Sequence, residues 1–480
     1  MTFDAVVVGA GPNGLTASIV LARAGLSVLL CEAGPAAGGG VRTEALTLPG
    51  FRHDPCSAVH PLAVGSPAFR TMPLARYGLT WVRPDIPLAQ VLADGSAAVI
   101  GHDFAETVSA LGPDGDRYRR LLGPFVGQWD RLSADLLRPQ TAGMPESALL
   151  MARFGARAAL PAGLLIRWFR DEPARTLLAG LAAHVLAPLG SPLTSGVALM
   201  FALAAHEVSW PFPRGGAQAL ADALARYLAD LGGVIDLNRP IRSVDELPPA
   251  RAYLFDVAPR DLARIAGSRL PRGWLRRVDR YRYGPAAFKI DYALDGPVPW
   301  RAKECRSAGT VHVGASAHEI GQSLWSANHG RAPVAPFLIT SQPSVFDPTR
   351  APAGKHVFWV YAHVPAGWRG DVVPSVEKQL ERFAPGFADR VIARNVITPA
   401  QIEERNPNNV GGNILVGRCN GLHGMMRPVL FARVPYATGN PSIYLCSSAT
   451  PPGPGVHGMC GLHAAQAVLR RVFGVVSAST

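Results

Sequence analysis

The 480-residue chain is 48% hydrophobic with a mean hydropathy of +0.14, more apolar material than one core usually holds, so it reads as two closely joined domains. Its net charge of +12 is carried by arginine, because only Lys289, Lys303, Lys355 and Lys378 are lysines, and the scattered arginines form no basic run that would suit nucleic acid. Six cysteines without a C-x-x-C pair exclude a redox dithiol, and no His/Cys spacing marks a metal site.

The first element is a buried strand over residues 3–8, which runs into Gly9, Ala10, Gly11, Pro12, Asn13 and Gly14 and then into a helix over 15–25. Gly9 permits a tight turn, Gly11 lets backbone approach a pyrophosphate, and Gly14 allows close helix packing, with the helix N-terminus facing the negative phosphates. A second apolar strand at 27–31 ends on Glu32, where a carboxylate can accept hydrogen bonds from an adenosine ribose. Ala33 follows, then a second glycine cluster, Gly38, Gly39 and Gly40, and then Val41, Arg42 and Thr43; glycines with a cation suit a pyrophosphate. The first strand starts so close to Met1 that no room is left for a signal peptide, and a cytoplasmic location is expected.

Residues 104–207 have a helical pattern broken by Pro139, Pro145, Pro161 and Pro173, an inserted helical region. Its most apolar stretch, 176–208, is interrupted by His184, Pro188, Gly190, Pro192 and His206 and falls short of a membrane span. Arg153, Arg157, Arg167, Arg170 and Arg175 border it. They suit either a peripheral face on the inner side of a membrane, through which a lipid enters, or a helical cap with solvated arginines.

A loop at 213–216 opens a helix over 217–231, closed by Gly232 and Gly233, and a strand follows at 234–237. Alternating runs at 287–292 and 356–361 suit strands of a mixed sheet, the floor of a substrate domain. The tail returns to the opening style, with a strand at 442–446, a Pro/Gly loop at 447–458 and a helix at 459–472 whose N-terminus faces a ring that gains negative charge. Without a linker, the domains interleave: 1–103, 210–270 and 440–480 form the dinucleotide-binding domain, and 104–209 with 271–439 the substrate domain. The fold class expected is α/β, a Rossmann-like domain of glutathione-reductase type interleaved with a mixed β-sheet domain carrying a helical insert.

Through residues 9–14 with Glu32, 38–43, 48–54, 213–216 and 450–461, the chain resembles the phytoene desaturase-like family of the amine-oxidase superfamily over most of its length. The resemblance implies noncovalent FAD. Glu32, with Ala33 beside it, would meet the adenosine ribose and Ile241 the adenine. Gly11, Pro12, Asn13, Gly14, Gly39, Gly40, Val41, Arg42 and Thr43 would lie near the pyrophosphate and Ser447 and Ser448 on the ribityl chain. Gly455, Val456, His457, Gly458 and Met459 would run along the flavin ring. The chain departs from the family in carrying its cation at Arg42, after three glycines, and in shortening the path from Ile241 to Asp256, where relatives insert a hairpin.

Three residues are candidates for chemistry. Lys289, opposite in direction to Phe288 and Ile290, sits either near flavin N5 holding a water, as the resemblance implies, or at a solvent edge. Asp54 either orders a loop or abstracts a proton, and His457 either meets the ring or substrate or lies in a surface loop. The leading expectation is an FAD-dependent desaturase, dehydrogenase or redox-neutral isomerase of a small apolar substrate, polyene or isoprenoid in kind, with O2 or a quinone as electron acceptor. A flavin amine or amino-acid oxidase and a flavoprotein that binds a partner without turnover are the alternatives. A single dinucleotide fingerprint argues against NAD(P)H, and the oligomeric state is open.

Overall fold

Short runs that are apolar at every position form strands only where both faces are covered. Ala5–Val8 (β1) and Val28–Cys31 (β2) are such runs, wholly buried, and they pair in parallel with Val6 opposite Leu29. The computed structural model describes residues 2–139, 143–419, 421, 427–428 and 432–475. Val234–Asp236 (β7), Ala252–Phe255 (β8) and Ile443–Leu445 (β14) complete a five-stranded parallel sheet in the order β14-β8-β1-β2-β7. Helices Pro12–Arg23 (α1), Gln218–Asp230 (α6) and Met459–Val468 (α7) cover one face through Leu15, Ile19, Leu224 and Val468, while Leu262, Ile265 and Trp274 cover the other. A side chain at Gly461 would run into the backbone of Asn13, so glycine there lets α7 lie directly on α1.

The second sheet has seven strands: Ile86–Val91 (β4), Ala97–Ile100 (β5), Ala286–Leu294 (β9), Ala308–Val313 (β10), Leu338–Ser341 (β11), His356–Val364 (β12) and Val391–Ile397 (β13). Their order is β13-β9-β12-β11-β10-β4-β5, antiparallel except where β10 meets β4. A short ribbon of Trp81–Val82 (β3) and Phe212–Pro213 (β6) stands apart. Phe288, Ile290, Tyr292 and Leu294 pack one face of this sheet against Val376, Leu380 and Phe383. The other face looks toward the helices Ala148–Ala158 (α2), Ala162–Leu165 (α3), Glu172–Ala183 (α4) and Thr194–Glu207 (α5).

Two boundaries differ from the sequence expectation. Strands β4 and β5 fall within 1–103, yet β4 pairs with β10, more than two hundred residues later, and carries β5 with it into the substrate sheet. The helix Arg272–Asp279 lies past residue 270, yet its Trp274 packs with Val6 and Phe255 beneath the parallel sheet. In both cases the partner that decides the assignment is remote in sequence. The six cysteines are free thiols.

Candidate functional site

The turn after β1 is built by backbone clearance. Gly9 adopts φ +97°, in the left-handed region, and a side chain at Gly14 would collide with the Gly9 carbonyl. Gly11 is the N-cap of α1 and has no side chain to cap it; Pro12 lacks an N–H, Gly14 donates to Asp256 and Leu15 to the Gly11 carbonyl, which leaves the Asn13 N–H for the site. Gly39 brings a second backbone against Gly11, 3.1 Å from where its Cβ would stand. Glu32 is held rigidly: Oε2 accepts the Ala10 N–H at 2.8 Å and Oε1 the Gly34 N–H at 2.8 Å, with an Arg42 nitrogen 3.8 Å away. Arg42 also donates to the Ala36 carbonyl at 3.1 Å.

One cavity of about 1340 Å³ extends from this turn into the helical insert. A single ligand pocket is usually smaller, about 300–1,000 Å³, so the space suits a dinucleotide and a second molecule. At one end its wall is Gly9, Gly11, Pro12, Asn13, Glu32, Ala33, Gly39, Gly40, Val41, Arg42 and Ile241; further along come Ser447, Ser448, Gly455, Val456 and His457. Asn13 donates to Ser448 Oγ at 3.3 Å, which joins the two groups. His457 is 1% exposed, its Nδ1 accepts the Met459 N–H at 3.0 Å, and its Nε2 has no partner; burial pushes it down to about 4, so it is a neutral imidazole rather than a surface-loop histidine.

Five residues assigned to the cofactor from sequence stand behind the wall. Ala10 is engaged with Glu32, and Gly14 donates its N–H to Asp256 Oδ2 at 2.9 Å. Gly458, at φ +68°, caps α7 against Thr16 and Phe69, while Met459 holds His457. Thr43 is spent on Asp54, to which it donates at 2.6 Å, and on the Gln218 N–H, which it accepts at 3.1 Å.

Asp54 is corrected in the same way. It is buried off the cavity wall, accepts also from the Ala217 N–H at 3.0 Å and pairs with Arg350 at 2.7 Å, which leaves neither oxygen for proton abstraction. Its neighbour His53 contacts Thr47 and lies 3.7 Å from Asp291.

The floor beyond the cradle is one cross-strand row of the seven-stranded sheet. In register stand Ile397 on β13, Lys289 on β9, Tyr361 on β12, Ile339 on β11, His312 on β10 and Gln90 on β4. Strand alternation sends these side chains away from Phe288 and Ile290, toward the insert. Lys289 is 2% exposed and lines the cavity, which removes the solvent-edge reading. Its ammonium bonds Asp291 and lies 5.0 Å from the centre of the Trp359 ring. Burial lowers Lys289 and raises Asp291 to about 6, each effect opposed by the pairing. Above this row Met151 and Phe154 of α2 and Met200 and Phe201 of α5 make an apolar roof.

Sequence reasoning missed Asp256, Tyr361 and His184 as wall residues. Asp256 follows β8, which pairs with β1, and no local motif announces that pairing. The other two had a weak signal, a polar residue in an apolar run.

The cradle, the cavity it shares with the helical insert and the sheet floor define an oxidoreductase of the Rossmann dinucleotide-binding type. A family model described as an NAD(P)-binding Rossmann-like domain matches residues 7–72. The rat pyridine nucleotide-disulfide oxidoreductase domain-containing protein 2 is 26% identical, covering 98% of this chain and 93% of its own. The lycopene-forming phytoene desaturase of Pseudescherichia vulneris is 25% identical over 95% of this chain and 96% of its own. Wild-type putrescine oxidase bound to putrescine shares the fold, with a TM-score of 0.63 at 17% identity over 99% of this chain and all of that one. Over nearly its whole length the chain is thus similar to these oxidoreductases, phytoene desaturase among them, and it shares its fold with an amine oxidase.

Proposed function

We propose that the protein is an FAD-dependent oxidoreductase that desaturates, dehydrogenates or isomerises an apolar substrate of polyene or isoprenoid type. The observation that carries this is the shared cavity, whose dinucleotide cradle and apolar chamber are two ends of one space with Lys289 and Cys56 between them. The residues present fit the cofactor: the Asn13 N–H at the start of α1 and the side-chain-free approach of Gly11 and Gly39 leave room for a pyrophosphate, and Arg42 Nε and His457 Nε2 are buried polar atoms without partners.

When bound, FAD supplies the two-electron acceptor for a C–H bond. The chain's own contribution is positioning and exclusion of water. The roof of α2 and α5 holds an apolar substrate against the sheet floor, and Lys289, steadied by Asp291 and Trp359, holds a water or a proton at Nζ. Glu32, Glu44, Asp256, Asp261 and Glu404 line the cavity, but the roof of α2 and α5 contributes no carboxylate to the wall, which favours an apolar substrate beneath it. Anaerobic mixing of the flavin-loaded protein with an acyclic polyene precursor should bleach the flavin band. Peroxide formed from a panel of amines, with no bleaching by polyenes, would favour the oxidase reading instead.

A peripheral membrane contact is part of the proposal. Helix α2 and the segment Ala162–Trp168 meet at 84°, and this elbow exposes Leu149, Leu160, Leu164 and Trp168 beside Arg153 and Arg167. The other side of α2 lines the chamber, which suits entry of a lipid-dissolved substrate. No single described helix is long and apolar enough to cross a membrane.

A further inference from the structure

The far end of the chamber floor carries polar groups that a pure hydrocarbon would not use. His184 of the segment after α4 lies on the cavity wall, with its ring against Phe201 and Trp210. Its Nε2 is 3.0 Å from Nε2 of His312, so one of these nitrogens must donate and the other accept. Burial pushes both imidazoles down, His184 to about 3, so each ring carries a single proton at neutral pH.

Gln90 favours one of the two assignments. Its Nε2 donates to the carbonyls of Gly314 at 2.9 Å, Val91 at 3.1 Å and His312 at 3.4 Å; the reversed amide would set Oε1 against three carbonyl oxygens. Gln90 Oε1 is therefore an acceptor, buried and without a partner, and His312 Nδ1 is the other buried atom left over beside it. Both crowd the space next to Gly180, where any larger side chain would overlap them. No hydrogen bond joins the two as they stand; with the proton on His312 Nδ1, the nitrogen beside the Gln90 acceptor, His312 Nε2 is a lone pair, His184 Nε2 carries the proton, and His184 Nδ1 is a lone pair. Unlike the orphaned atoms of His312 and Gln90, His184 Nδ1 is not sealed off, and it has no partner among the described residues.

We propose that His184 Nδ1 is a hydrogen-bond acceptor for substrate, so that the chamber selects an elongated apolar molecule bearing a hydroxyl or neutral N–H donor at the end remote from the reacting carbon. This rests on the reading of the chamber as the substrate site of a flavin enzyme. Three strand spacings separate Lys289 from His312 across the floor, roughly 14 Å. The donor and the reacting carbon are set that far apart, and a compact alcohol or amine cannot satisfy both ends.

The test compares dodecanol with dodecyl methyl ether, which keeps the chain and the terminal oxygen, adds one methyl group and has no donor. Titration calorimetry on the purified protein should find the alcohol bound about ten-fold more tightly than the ether. His184→Phe should erase the preference and leave ether binding unchanged, and His184→Asn, whose amide oxygen accepts, should restore part of it. Nitrogen-15 spectra of histidine-labelled wild-type protein should show His184 as the Nε2–H tautomer, a readout that needs no variant to fold. Equal binding of alcohol and ether by the wild type, or an Nδ1–H tautomer at His184, would overturn the proposal. Neither readout uses flavin, so a chain that keeps the preference but binds no flavin would defeat the functional reading alone.

Discussion

A carboxylate buried beside the N-terminus of α1 repels the phosphates that the cradle is shaped to hold, unless it carries a proton. Asp256 is in that position, and burial pushes it up to about 7, helped by the negative field of Glu32 and opposed by the Gly14 N–H. Its folded value lies above the unfolded one of 3.8, so the native state keeps a proton that the unfolded chain releases. Stability therefore falls as pH rises from about 4 to about 7 and is lost no further above that, a total of about 4 kcal/mol at most. Asp256→Asn, which can still accept the Gly14 N–H, should flatten this slope in thermal melts between about pH 5 and about pH 8. An unchanged slope would place the titration elsewhere. Lys289 and Asp291 invite a second test, because removing one partner of a buried ion pair strands the other. Lys289→Met should cost about 3–5 kcal/mol in urea unfolding, and Lys289→Met with Asp291→Leu should recover most of it. Additive losses would mean that the two do not act as a pair.

At the scale of elements, Asp54 shows how the two domains are tied. Through Thr43, Ala217 and Arg350 it joins the second glycine cluster, the start of α6 and the loop before β12, with Ala217 and Arg350 out of water and Thr43 half-buried. Asp54→Ala should lower unfolding stability by about 3–5 kcal/mol and loosen cofactor retention in gel filtration; full stability with lost turnover would return it to a chemical role. The elbow after α2 makes a separate claim. Replacing Leu149, Leu164 and Trp168 with serine should reduce co-sedimentation with anionic liposomes at least several-fold without changing the melting temperature, since all three side chains are exposed. No change in sedimentation would leave the arginines as a solvated cap. These elements also mark what was legible in the sequence. The stretch from Gly9 to Glu32 could be read because strand, turn, helix and strand are contiguous and each glycine answers a local steric demand. The row from Ile397 to Gln90 could not, because it exists only through the register of five strand pairings. The sequence leaves Asp54 between a structural and a chemical role for a related reason, since Arg350, which pairs with it, is 296 positions away.

Across the whole molecule, the chain leaves and re-enters each domain, so that both ends of the cavity are built from sequence-distant pieces. β1, β8 and β14 lie side by side in the parallel sheet, and the loops that follow them bring Gly11, Asp256 and Ser447 to one wall. The same interleaving carries β4 and β5 into the substrate sheet, so neither domain is expected to fold from a contiguous fragment. The fold fixes where a dinucleotide and an apolar substrate would meet, whereas the substrate's identity depends on a few side chains on the chamber floor. The central claim is that the cradle holds FAD. Its most direct measurement is the absorbance spectrum of the freshly purified protein, followed by identification of the extracted cofactor. The account predicts flavin bands and release of FAD by denaturation without proteolysis. A colourless protein that acquires no flavin bands after incubation with FAD would contradict it.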